Sequence, residues 1–434
     1  ARAGTDTVDA SGRYVVPGLM DMHVHLFRDE RVAEPTLDLL LAHGVTGFRE
    51  MASDCWDPTR EGAVCTDALR ELAREIEAGT RTAPRPLALA SAPVNGVSQR
   101  GGLPDGAPDF LAPGTADEGR ELARWLADRA IDVVKVYNSV PREAYFGLLE
   151  EANGLDLEVS GHLPLGVSVV EAAEAGHRTL EHARDLPVAC GAYSEPYRAT
   201  MARVVDEVAG ATAPSATERI QTTLDAFDEA TCQEVFAVLV ASGTYLVPTH
   251  GTREMDYRAG DPGYRGDERM RHILAPIRQG WEADLDRTAR APDDLVDLYR
   301  AFYELGVRLS VMAHDAGVPV MAGTDANDTM IFPGSALHDE LARFASAGMS
   351  PLDALRTATT VPAEYLGRSG DLGTIAVGAL ADVLILDADP LADISNTRTL
   401  RAVVVGGRVL DRDALDALLE GVEEAVAASA DPGA

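Results

Sequence analysis

The chain has 434 residues, 46% of them hydrophobic and 25% charged, which is enough apolar surface for a buried core and argues against disorder. A formal net charge of −32 argues against a nucleic-acid partner, which needs a basic face. The longest apolar runs, such as residues 235–241, fall far short of a membrane span.

In chain order, residues 7–18 read TVDASGRYVVPG, a strand-and-turn pattern. Short apolar or β-branched runs then recur at 18–25, 45–51, 86–94, 133–137, 157–163, 179–182, 244–250 and 318–325. Between them lie stretches with apolar residues at three- and four-residue spacing, such as 66–78, 117–129, 142–153 and 169–175, which predict helices. Eight alternations of strand and helix predict a parallel sheet closed into a (β/α)8 TIM-like barrel over residues 18–369. The stretches after His182 and His250 are long and carry helical patterns at 218–241 and 292–316. They predict helical insertions at about 183–243 and 251–316, placed where lids and substrate walls form. Ser350-Pro351 has the chemistry of an N-cap and first-turn proline. From Asp371 the pattern returns to strands and turns, so residues 370–412 can pair with 1–17 as one small β domain. Residues 413–434 read as a C-terminal helix with a fraying Ala-rich tail.

Among 38 basic residues, Lys135 is the single lysine. A bias that replaced lysine with arginine everywhere else spared one amine, and an amine can be deprotonated and modified where a guanidinium cannot. The four cysteines form two local pairs, Cys55 with Cys65 and Cys190 with Cys232, without any CxxC. Disulfides and free thiols both fit; disulfides would favour a secreted protein over a cytoplasmic one.

The metal-ligating residue types fall at predicted strand ends. His23 and His25 close the first strand, and an i, i+2 pair on a strand shares one face. Lys135 lies near the end of the fourth, His162 of the fifth, His182 of the sixth and Asp325 of the eighth. Barrel enzymes build their sites at this rim, so six residues distant in sequence are expected to converge there. Singly, each has a plain alternative: a structural histidine, or an aspartate capping a helix.

Here the chain resembles the amidohydrolase superfamily, in its imidazolonepropionase-like and Xaa-Pro-dipeptidase-like branch. The strings that carry the resemblance are VPGLMDMHVHL, GVTGFREM, VVKVY, SGHLP, LEHA, MAGTDA, PGSALHDEL and GTIAVGALADVLILDADPLADISNT, in order along the chain. The resemblance implies the barrel beside a small β-sandwich made from both termini, although residues 1–17 are few for their half. It also implies His23, His25 and Asp325 on one divalent ion and His162 and His182 on a second, with Lys135, carboxylated by carbon dioxide, bridging them. Zinc suits such ligands best. Two ions about 3.5–4 Å apart would acidify a bridging water and polarise a carbonyl. Asp325 would act as general base and then acid.

Around this centre, His250 ends the seventh predicted strand and is a candidate catalytic or substrate-contacting residue. Tyr137, which in dipeptidase-like relatives meets the substrate carboxylate, Arg100 in the loop VSQRGG and His338 in PGSALHDEL are further substrate-binding candidates. His43, His177, His272 and His314 read as surface or core residues. The function expected is hydrolysis of an amide bond in a dipeptide or N-acyl amino acid. A lactone, cyclic-imide or ester hydrolase at the same centre is the alternative, and a non-catalytic binding barrel is the reading from another class. The partner expected is a small molecule, with no membrane, and the resemblance implies a homo-oligomer.

Overall fold

Valine, leucine and methionine dominate the early strands, and a strand apolar on both faces has to be covered on both. A computed structural model shows this arrangement and describes residues 7–55, 64–129 and 131–430. The strands are β1 (Tyr14–Pro17), β2 (Leu19–Val24), β3 (Val45–Glu50), β4 (Arg85–Leu89), β5 (Val133–Val136), β6 (Glu158–Gly161), β7 (Thr179–Glu181), β8 (Tyr245–Val247), β9 (Val383–Leu386), β10 (Leu400–Val405) and β11 (Arg408–Asp411). β2, β3 and β5 are buried at every position.

β2-β3-β4 and β5-β6-β7-β8 are two parallel sheets. Parallel bridges Ala90↔Val133 and Val94↔Val136 join them at one seam. At the other, residues 318–326 run between β8 and β2 through the bridges Leu246↔Val320 and Val24↔Ala326. Helices cover the outside, giving a TIM-barrel-type α/β fold. The stretch after β7 folds into helices Asp185–Ala189, Ser194–Val205, Ala216–Asp225 and Glu229–Ser242, and the stretch after β8 is helical from Gly251–Arg258 to Asp293–Asp315.

The eighth expected strand is not a regular strand among the described residues. Part of its bonding is diverted: the Ala322 N–H donates to the Thr357 carbonyl at 2.9 Å, while Met22 N–H donates to the Ala322 carbonyl at 3.0 Å and Asp325 N–H to the His23 carbonyl at 2.8 Å. Gly323 permits this close passage, because a Cβ there would sit 2.6 Å from Val247 Cγ1 and 3.0 Å from His23 Cβ. Asp21 pins the seam, accepting from the Thr324 N–H at 3.0 Å and its hydroxyl at 2.6 Å.

The two chain ends do pair. β1 runs antiparallel to β9, from Tyr14↔Leu386 to Pro17↔Val383, in a sheet ordered β1-β9-β10-β11. A second facing sheet, which a β-sandwich needs, does not occur among the described residues: the N-terminal part contributes one four-residue strand. Instead Leu384, Leu400 and Val403 join Leu415 of helix Arg412–Ser429 and Leu37 and Leu41 of helix Glu30–Ala42 in one core. Both cysteine pairs are bonded, Cys55–Cys65 and Cys190–Cys232. Among the described residues no helix is long and apolar enough to cross a membrane.

Candidate metal centre and active site

β2 delivers His23 directly and His25 just past its end, β5 delivers Lys135, and His162 and His182 follow β6 and β7. With Asp325 on the 318–326 segment, all six residues singled out as ligands meet. His23 Nε2 is 3.1 Å from Lys135 Nζ and 3.4 Å from Asp325 Oδ1. His25 Nε2 is 2.9 Å from Asp325 Oδ1, and His182 Nε2 is 2.8 Å from His162 Nε2. The His23 and His182 rings lie 5.0 Å apart. One ligand atom each from His23, His25 and Asp325 fit within 4.8 Å of one another.

The opposite ring nitrogens explain why these atoms face inward. His23 Nδ1 donates to Glu181 Oε2 at 2.7 Å, and Glu181 is held in turn by Arg49 at 2.6 Å, both fully buried. His162 Nδ1 lies 2.6 Å from Asn138 Oδ1 and His182 Nδ1 lies 2.7 Å from Thr249 Oγ1. At His23 an Nδ1–H held by a carboxylate leaves the Nε2 lone pair free for a cation, whereas at His162 the Arg184 guanidinium competes with Asn138 for Nδ1. His182, Thr249 and Asp325 have φ of +66°, +44° and +69°, in the left-handed region that costs a non-glycine residue of order 1–3 kcal/mol. Two of these are ligands, and other left-handed residues, such as Asp54, Asp156 and Glu207, lie elsewhere.

Electrostatics fit a cation here as well. Burial pushes His23 down to about 4 and holds His162 and His182 well below the ordinary imidazole range, so these rings are neutral ligands. Burial also pulls Lys135 down to about 8, against the pull of Glu181 and Asp325. Enclosure opposes charge on His25, but the carboxylates of Asp325 and Glu50 outweigh it and raise the ring to about 9. This corner favours positive charge.

A cavity of about 490 Å³ opens over the centre. Tyr137 lines it and stacks on His162 with ring centroids 4.1 Å apart. Arg184, Arg253, Asn327 and Asp328 line it too, and none of them stood out in the sequence. Arg184 donates to Asn138 Oδ1 at 2.8 Å and also touches the His162 ring. The usable signal was position: Arg184 comes two residues after a ligand and Asp328 three after another.

Three candidates fall outside the cavity. His250 is 1% exposed, with Nδ1 on Glu340 at 2.7 Å and Nε2 on Ser310 at 3.0 Å. β8 ends at Val247, and the left-handed Thr249 turns the chain so that His250 faces the surrounding helices. Arg100 pairs with Glu118 at 2.7 Å and donates to the Ala112 carbonyl at 3.1 Å, bracing its own loop. His338 lies between Thr397 Oγ1 and the His43 carbonyl, each at 2.8 Å, behind the barrel wall.

The amidohydrolase family profile matches residues 138–410, a span that holds His162, His182 and Asp325. An ochratoxinase of Aspergillus niger is 22% identical over 429 residues, covering 90% of this chain and 73% of that protein. Among solved structures, a bottromycin amidohydrolase superposes with a TM-score of 0.67 at 20% identity, covering 96% of this chain and 81% of its own. A Xaa-Pro dipeptidase with bound methionine gives 0.61 at 18%, covering 95% and 90%. These structural likenesses bear on the fold, and the profile bears on the family. The chain belongs to the amidohydrolase family and is a hydrolytic enzyme of carbon–nitrogen bonds.

Proposed function

We propose that the chain cleaves the amide bond of a small substrate with a free carboxylate, a dipeptide or an N-acyl amino acid, at a pair of divalent ions. The observation that carries this reading is the sole lysine, with Nζ 3.1 Å from His23 Nε2 amid four imidazoles and Asp325. That amine sits in the middle of the ligand set, and a carbamate formed from it and carbon dioxide would be an anionic oxygen ligand there. His23, His25 and Asp325 would hold one ion, His162 and His182 the other, and carboxylated Lys135 would give an oxygen to each. Zinc fits this donor set best. Bound ions supply Lewis acidity, which acidifies water and polarises a carbonyl. Asp325 takes the proton of the attacking water and returns it to the departing nitrogen. Tyr137, with Arg184 and Arg253, gives the cavity donors for a substrate carboxylate.

Similarity to a Xaa-Pro dipeptidase and a bottromycin amidohydrolase supports an amide substrate. The parallel bridges at both seams support a closed eight-membered ring. Assay of the zinc-loaded protein on dipeptides, N-acyl amino acids, lactones and esters tests the reading. Carboxylate-bearing amides are expected to turn over fastest. Turnover of lactones or esters with inert amides would replace it with the alternative chemistry.

A further inference from the structure

Arg184 and Arg253 line not only the cavity over the centre but also a neighbouring one of about 320 Å³. Its walls come mainly from the helical stretches after β7 and β8, with Val188, Tyr197, Met201, Ile220 and Phe302 giving an apolar side and Arg184, Arg219 and Arg253 a basic one. Val188, Tyr197 and Met201 pack together as a buried cluster, so these walls are fixed by their own contacts. The acidic groups on this lining are already matched: Asp185 with Arg198 at 2.7 Å and Asp256 with Arg253 at 3.1 Å.

Arg253 is only half-matched. Asp256 meets Nη1, while Nε is buried without a hydrogen-bond partner among the described residues. The Arg253 side chain keeps 33% of its surface exposed, and where it lines the cavities the rest of the guanidinium can hold a carboxylate. The guanidinium stands where the two cavities share a wall, so a carboxylate it holds puts the group on the adjacent carbon within reach of the apolar side. A space of this size takes a six- or seven-carbon side chain, since a cavity of about 150 Å³ already holds benzene. A cleft of about 810 Å³ shares Phe27, Asn327 and Asp328 with the cavity over the centre and continues to Ile277 and Trp281, giving room for an acyl half.

We propose that the side cavity is the subsite for the amine-side residue of the substrate, with Arg253 binding its carboxylate and the apolar walls taking a bulky aliphatic or aromatic side chain. The preferred substrates are then N-acyl derivatives of large apolar amino acids rather than of glycine or alanine. This rests on the amide reading above and specifies which amides.

The test is calorimetric titration of the zinc-loaded protein with L-phenylalanine, L-leucine, glycine and L-phenylalaninamide, alongside kcat/KM for the N-acetyl forms of the three amino acids. L-phenylalanine and L-leucine are expected to bind at least about tenfold more tightly than glycine, with the same order in kcat/KM. Arg253→Met should remove the preference for L-phenylalanine over its amide and raise KM more than it lowers kcat. Ala213→Trp, at an exposed position on the side-cavity lining, should cut the phenylalanine-to-glycine ratio by about fivefold or more. Equal binding of glycine and phenylalanine by the parent overturns the proposal. So does an Arg253→Met loss of the same size for L-phenylalanine and its amide. Selective binding without hydrolysis of any N-acetyl derivative would support the subsite and overturn the amide reading instead.

Discussion

His338 is 1% exposed, and both of its ring nitrogens are engaged, by Thr397 and by the His43 carbonyl. Burial pushes its pKa from 6.5 down to about 4, with Arg398 adding to the effect. Because the folded value lies below the unfolded one, the neutral ring's contribution to stability is complete above 6.5. It is lost as pH falls from 6.5 towards 4, by about 3 kcal/mol in all. Denaturant unfolding at pH 7 and pH 4.5 should therefore show a smaller drop for His338→Gln than for the parent; equal drops would contradict this. The same residue shows where sequence stops informing. PGSALHDEL places His338 soon after the last barrel segment, but the helix Ser335–Ser346 presents it to the barrel wall rather than the mouth. Lys135 was legible for the opposite reason: on a four-residue strand, position fixes direction. His250 was misread because its direction depends on the left-handed turn at Thr249, which sequence does not announce. Arg253 was missed because nothing local distinguishes it from the other arginines, while Arg184 carried only the weak signal of standing two residues after a ligand.

At the scale of elements, helices Ala116–Ala127 and Arg142–Gly154 cross on glycine. A Cβ at Gly119 would overlap the Ala144 carbonyl and come within 2.8 Å of the Leu148 nitrogen, and one at Gly147 would overlap the Ala116 backbone. Helix propensity alone gives Gly147→Ala a gain of about 1 kcal/mol. The crossing opposes it with an overpacking cost of about 1–3 kcal/mol, against rigid backbone. The urea midpoint of Gly147→Ala is expected to fall, and a rise would show that the helices can separate. The amphipathic spacing made these helices legible, but not which glycines touch. The second disulfide is a similar case. Cysteine spacing left pairing open, whereas the fold ties the end of helix Asp185–Ala189 to helix Glu229–Ser242 across 42 residues. Loop closure of that length is worth about 4 kcal/mol in the chain-entropy account. Cys190→Ser with Cys232→Ser should lose an amount of that order by denaturant titration, and an unchanged midpoint would rule the bond out as a stabilising link.

Across the whole molecule, alternation of strand and helix was legible because parallel strands buried on both faces are largely apolar, apart from the side chains they send to the site. The irregular eighth segment and the single terminal sheet were not, because both depend on which neighbour receives each backbone hydrogen bond. The convergence of six side chains from residues 23 to 325 is a property of the ring as a unit. It places imidazoles, a carboxylate and one amine where a cation offsets buried negative charge. Elemental analysis of the purified parent and Lys135→Arg, with turnover on an N-acyl amino acid, tests this most directly. About two divalent ions per chain are expected in the parent, and loss of at least one ion together with activity in the variant. A parent without stoichiometric metal, or a variant that keeps both ions and full turnover, would contradict the account.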